Sequence, residues 1–217
     1  MVKKNDQIQL NITSVTSEGA GVGKLDNFTI FVANTAPGDL VLAHVIKVNK
    51  TYAIAKLLKI ITPSDKRIEN TCSVFLKCGG CCFRHIDYKE ELNLKQQMVT
   101  QNLKKLGNIN FQCEKINSFN FQRYRNKAQY PIGQDENGNL FAGFYATHSH
   151  RVIECQDCLL QPEIFNNITL DTLSFLQQNG VNAFNLEDFS NKKSSLIRHV
   201  FLRIGEITNE IMLCLVV

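Results

Sequence analysis

The run CSVFLKCGGCCF at residues 72–83 constrains this chain more than any other stretch. It places Cys72, Cys78, Cys81 and Cys82 in one short segment, with Gly79 and Gly80 between the second and third thiols. The spacing C-x5-C-x2-C suits a metal or cluster site. The two glycines let the backbone bend so that neighbouring thiolates face one centre, and they leave room for inorganic sulfide beside the chain. A four-thiolate site needs one more partner, and ECQDCLLQP offers Cys155 and Cys158.

Compartment decides how eight cysteines are read. The start, MVKKNDQIQLNITSV, lacks the apolar middle of a secretory signal, and no run of eighteen apolar residues is present for a membrane span. The expectation is a cytoplasmic protein whose thiols stay reduced, so metal or cluster ligation outranks disulfides. Two ligand sets then compete. Cys78, Cys81, Cys155 and Cys158 form two C-x2-C pairs, which suits zinc, although the gap between the pairs far exceeds that of a zinc ribbon. Cys72, Cys78, Cys81 and Cys158 suit an iron–sulfur cluster. Spacing alone leaves both open. Cys113 and Cys214 sit among apolar or strand residues and read as ordinary buried thiols.

Periodicity divides the rest. QIQLNITSV alternates Ile8, Leu10 and Ile12, the pattern of a half-buried strand. SEGAGVGKLDN is a glycine-rich turn, FTIFVAN a strand, and DLVLAHVIKV and TYAIAKLLKI flank a short polar break, as in a hairpin. Short strands with regular turns predict a small barrel of OB type over residues 1–61. A helix is expected over 87–106, capped by Asp87, with Tyr88, Leu92, Val99, Leu103 and Leu106 at helical spacing and Gly107 as its stop. Strands return over 123–154 with a turn at Asn137–Gly138. A second helix opens at Pro162 and ends near Gly180. RHVFLRIG and EIMLCLVV read as a strand pair. GAGVGK has the wrong spacing for a phosphate loop, and no Ser or Thr follows its lysine.

With these residues in hand, the chain resembles the bacterial RNA uracil-5 methyltransferases that form 5-methyluridine in 23S ribosomal RNA. EGAGVGKLDNFTIFVANTAPGDLV resembles the TRAM barrel of that family, an RNA-binding domain. CSVFLKCGGCCFRHIDYKEELNLKQQMV resembles its cluster segment and following helix, and YRNKAQYPIG, GFYATHSHRVIECQDCLLQP and IRHVFLRIGEITNEIMLCLVV its central domain. The resemblance implies a [4Fe–4S] cluster on Cys72, Cys78, Cys81 and Cys158, with Cys155 an extra thiol lacking a family counterpart. It implies a β-rich α+β fold, with a TRAM barrel over 1–61 and a central iron–sulfur and RNA-binding domain over 62–217.

Family members continue into a Rossmann-like domain that holds S-adenosylmethionine, the nucleophilic cysteine and the general base. The sequence ends at Val217 inside an apolar strand, so the expectation is a truncated fold with that domain absent. On this reading the chain has no catalytic residue and no S-adenosylmethionine site of its own. It supplies RNA binding and the cluster to a methyltransferase. The alternatives from other classes are a stand-alone iron–sulfur RNA-binding module and a zinc-binding structural protein. The oligomeric expectation is a monomer.

The net charge of +4, from 24 basic and 20 acidic residues, is too small to argue for a polyanionic partner. Placement matters more. In FQRYRNKAQY, strand alternation puts Arg123, Arg125 and Lys127 on one face and Tyr124, Ala128 and Tyr130 on the other. Three cations in a row suit the phosphates of ribosomal RNA; a solvated strand face is the plainer reading. THSHR, with His148, His150 and Arg151, reads equally as an RNA contact or a polar turn. Arg198, His199 and Arg203 have a weaker claim. Lys104 and Lys105 are accounted for by the dipole at a helix end.

Overall fold

The protein is described here by a computed structural model, over residues 2–184 and 195–217. It divides into two compact units, Met1–Thr71 with Cys81–Asn117, and Cys72–Gly80 with Ser118–Val217. The expected single boundary between 61 and 62 is not the observed one. The division interleaves instead, because the helix after the cysteines packs with the barrel while the segment 72–80 attaches to the second unit.

In the first unit, β1 (Gln7–Val15), β2 (Gly21–Leu25), β3 (Phe28–Val32), β4 (Leu40–Val48) and β5 (Tyr52–Thr62) close into a barrel in the order β1-β2-β3-β5-β4. Its interior is filled by the alternate residues of each strand, Ile8, Leu10 and Ile12 from β1 with Ile30, Val32, Val41, Ala43, Val45, Ala53 and Ala55. Each full-sized aliphatic side chain buried this way contributes about 2 kcal/mol. The β2–β3 hairpin turns through Asp26 and Asn27, both at positive φ (49° and 64°), the backbone of a type I′ turn. On β2, Gly23 is needed for close approach: a Cβ there would stand 2.4 Å from Leu10 Cδ1 and 2.7 Å from the Asn11 carbonyl oxygen.

Helix α1 (Tyr88–Leu106) starts at Asp87, whose carboxylate accepts from the backbone N–H groups of Lys89 and Glu90. It adds Leu94 and half-buried Met98 to a cluster with Val15, Ala36, Phe83 and Ile86. The buried face is therefore not the expected one; Val99 and Leu106 are exposed. Gly107 keeps a right-handed backbone (φ −89°), and the left-handed residue is Asn108. Beneath the barrel, Asp39 is fully buried. It accepts from the N–H groups of Ala36 (2.7 Å) and Ser64 (2.9 Å) and from the Arg67 guanidinium, with Nε 2.9 Å from Oδ1 and Nη2 2.9 Å from Oδ2.

The second unit is a five-stranded antiparallel sheet of order β12-β11-β6-β7-β8. Its strands are β6 (Lys127–Gln134), β7 (Leu140–Tyr145), β8 (Val152–Glu154), β11 (His199–Ile204) and β12 (Ile211–Val216). Helix α2 (Glu163–Gln178) covers one face, burying Phe165, Leu173 and Leu176 against Ala128, Tyr130, Ile132, Leu140, Ala142, Val200 and Leu202. A short parallel pair, β9 (Asn182–Ala183) with β10 (Ser195–Ile197), completes it. Cys214 lies on the edge strand β12 and is exposed, so it is not the buried thiol expected from its apolar neighbours.

Candidate cysteine centre and nucleic-acid interface

The segment Cys72–Gly80 is held to the end of β7. Gly79 N–H donates to the Tyr145 carbonyl at 3.0 Å, and Cys78 bridges to Ala146. A Cβ on Gly79 would meet the Thr147 backbone at 3.2 Å, so glycine permits the approach. Gly80 N–H points at Cys78 Sγ, 3.3 Å away. Cys155 and Cys158 come from the loop that leads into α2, where Gln161 N–H returns to the Cys158 carbonyl at 2.9 Å.

These four thiols, Cys72, Cys78, Cys155 and Cys158, lie close enough to shape one another's ionisation. A hydrogen bond from the Cys155 thiol lowers Cys158 to about 6, helped by the N–H groups of Leu160 and Gln161 and by Arg125. Cys155 itself is pushed up, first by that bond and then by burial and the neighbouring sulfurs. Burial also raises Cys78. The two thiols thus titrate as one interacting pair, with Cys158 the member shifted towards the thiolate.

Of the four ligands that the resemblance implies, Cys72, Cys78 and Cys158 fall in the second unit, whereas Cys81 falls in the first. Cys155, read as an extra thiol, is a direct neighbour of Cys158. Among the described residues no group of three or more Cys, His, Asp or Glu side chains converges on a single ion position. A tetrahedral zinc site needs such convergence. A four-iron cluster spreads its thiolates over four metals, one to each. The arrangement supplies no geometry for either group beyond this donor chemistry. The nearby cavity, lined by Tyr130, Leu140, Glu154, Cys155 and Asn166, is about 80 Å³, far below the hundreds of Å³ that a cofactor pocket requires.

The expected stripe of Arg123, Arg125 and Lys127 is not a stripe. Strand β6 begins only at Lys127, and Arg123 sits before it at positive φ (55°). Arg123 forks onto Asp157 at 2.7 and 2.9 Å and donates to the carbonyls of Cys158 (3.1 Å) and Gln161 (3.0 Å). Arg125 is exposed and faces the Cys78 and Cys158 sulfurs. Tyr124, placed on the packed side by alternation, is 52% exposed, because no strand exists there to impose the alternation.

Lys127 does stand on the sheet face away from α2. It is directly opposite Arg203 on β11, and its ammonium lies 5.8 Å from the Phe201 ring centre. On the same face the Tyr145 hydroxyl and His199 Nε2 are 3.1 Å apart, and His150 packs edge-on against Tyr145 at 5.7 Å. Arg198 stacks on Phe184 at 3.8 Å. Sequence reasoning misses Phe201 and Tyr145; the alternation within HVFLRI is the available signal. Lys127 and Arg203 thus set two cations on opposed positions of neighbouring strands, beside the Phe201 ring.

Residues 2–58 match the TRAM domain family. An uncharacterized RNA methyltransferase of Clostridium tetani is 42% identical over 217 residues, 99% of this chain and 46% of that protein. An uncharacterized RNA methyltransferase of Listeria monocytogenes is 38% identical, over 100% of this chain and 47% of that protein. The chain thus spans about half the length of the curated relatives it matches. A solved structure, the tRNA (uracil-54, C5)-methyltransferase of Pyrococcus abyssi in complex with S-adenosyl-L-homocysteine, superimposes with a TM-score of 0.69. That superposition covers 95% of this chain and 45% of that one at 21% identity, and it shows shared fold.

The superposition overturns the expectation of a fold defined by an absent methyltransferase domain. Nearly the whole chain has the fold of the stretch of methyltransferase that it covers. No helix among the described residues is long and apolar enough to cross a membrane.

Proposed function

We propose that these two units bind RNA within a cytoplasmic, S-adenosylmethionine-dependent methyltransferase that forms 5-methyluridine, with 23S ribosomal RNA as substrate. The observation that carries this reading is the opposed pair Lys127 and Arg203 beside Phe201, on a chain whose barrel matches the TRAM family. Cations with adjacent aromatic rings suit unpaired RNA, whose phosphates and base faces are both accessible. The names of the relatives supply the reaction class, and the Pyrococcus abyssi protein supplies the uracil C5 position. S-adenosylmethionine, when bound, provides the methyl group.

The proposal includes a [4Fe–4S] cluster on Cys72, Cys78, Cys81 and Cys158. Its role would be structural: Cys72 and Cys78 of the glycine segment, Cys81 after it and Cys158 of the loop before α2 would be its thiolate ligands. The depressed Cys158 thiol supports ligation, since metals take the thiolate.

The test is anaerobic purification, with iron, zinc and sulfide analysis, followed by binding of ribosomal RNA segments across a salt series. Iron with matching sulfide and salt-dependent RNA binding are expected. A colourless protein carrying one zinc removes the cluster, and absence of RNA binding at low salt removes the function.

A further inference from the structure

We infer that the outer face of the barrel around Phe31 and Tyr52 is a stacking platform for unpaired RNA bases. The inference rests on the RNA reading above and adds where on the first unit the bases sit. Strand register assembles the face. Val22, Phe31 and Ile54 lie in one row across β2, β3 and β5, and Lys47 extends that row onto β4. Lys24, Thr29 and Tyr52 form the next row. Their chain neighbours Ile30, Val32, Ala53 and Ala55 point into the barrel, so these side chains point out.

Phe31 and Tyr52 meet edge to face with ring centres 5.4 Å apart, and Tyr52 is 36% exposed. Such a pair holds both rings in place, so little side-chain freedom is lost when a base stacks on them. Charge then selects the occupant. None of the five barrel strands contains Asp or Glu, while β2, β4 and β5 carry Lys24, Lys47, Lys56 and Lys59. Asp39 is internal and paired with Arg67. Lysine is depleted where proteins dock on proteins, whereas lysines beside exposed rings are the usual composition of a single-strand groove. A duplex keeps its base faces stacked internally, so the rings select the unpaired form.

The test uses the whole chain with a labelled single-stranded oligouridine RNA and a duplex of equal length, measured by anisotropy over a salt series. Tyr52→Ala should weaken single-strand binding about tenfold with the salt slope unchanged, and Tyr52→Phe should retain binding. Replacing Lys24, Lys47 and Lys56 together by Ala should lower the log–log salt slope by about 2. Circular dichroism melts check that each variant folds. Wild-type binding with Tyr52→Ala indistinguishable from it overturns the platform and leaves the RNA reading intact, as does equal affinity for the duplex. Failure of the wild-type chain to bind single-stranded RNA at low salt overturns both.

Discussion

Arg123 holds Asp157 with two parallel hydrogen bonds, at 2.7 and 2.9 Å, and the same guanidinium reaches back to the carbonyl of Cys158. A residue that reads in sequence as a phosphate ligand is thereby a clamp on the cysteine loop. Half of the pair is solvated, with Asp157 48% exposed, so its ionic part contributes modestly. The carbonyl partners add hydrogen bonds from a charged donor. Arg123→Ala should destabilise the second unit by about 2 kcal/mol, measured by urea unfolding. Arg123→Lys should recover only part of this, because an ammonium cannot make the parallel fork.

Asp39 supports a prediction about pH. Burial pushes its carboxyl up, but the Arg67 bonds and the N–H groups of Ala36 and Ser64 outweigh it and hold the group below its ordinary range. The unfolded chain therefore binds more protons between the folded value and the unfolded value near 3.9. The stabilisation is complete above about pH 4 and is lost as pH falls through the depressed folded value. His85, whose imidazole burial also depresses, begins to oppose folding earlier, below about pH 6.5. Thermal melts from pH 7 downward should show both steps. Asp39→Ala should cost about 3 kcal/mol or more at neutral pH, since it strands Arg67 and two buried N–H groups.

The parts of this chain that can be read from sequence are those whose cause is local. Ile8, Leu10 and Ile12 alternate because one side of β1 faces the barrel interior, and the Asp87 cap acts within three residues of itself. What cannot be read depends on distant partners. Nothing near Arg123 announces that Asp157, 34 residues on, will take it out of the phosphate-binding set. The helical spacing of Leu92, Val99 and Leu103 is real, yet α1 buries Leu94, because the barrel underside meets only that part of its surface. In the cysteine centre, the spacing shows Cys155 and Cys158 as a C-x2-C pair but not that the Cys155 thiol bonds to Cys158 beside Cys72 and Cys78.

The thiol pair makes the ligand assignment testable. On the proposed ligand set of Cys72, Cys78, Cys81 and Cys158, Cys158→Ser should lose most bound iron, and Cys155→Ser should keep it. Iron per chain and the visible absorption of the cluster are the readouts. Iron lost from Cys155→Ser and kept by Cys81→Ser would transfer the fourth ligand from Cys81 to Cys155.

Lys127 and Arg203 supply the last prediction. They face each other across β6 and β11 on the open side of the sheet, and a phosphate placed between them would offset the two like charges. Removing one cation that neutralises a phosphate of single-stranded RNA should flatten the salt dependence by roughly 0.7 in log–log slope. Lys127→Ala with Arg203→Ala should thus lower the slope by about 1.4, with melting unchanged or raised, because the like charges no longer oppose each other. Phe201→Leu should weaken binding without changing the slope, since it removes only the ring. Arg123→Ala should leave the slope alone, its charge being matched by Asp157. A double variant with the wild-type slope would mean that RNA does not cross this face, and the cations would then be a solvated pair on an open sheet.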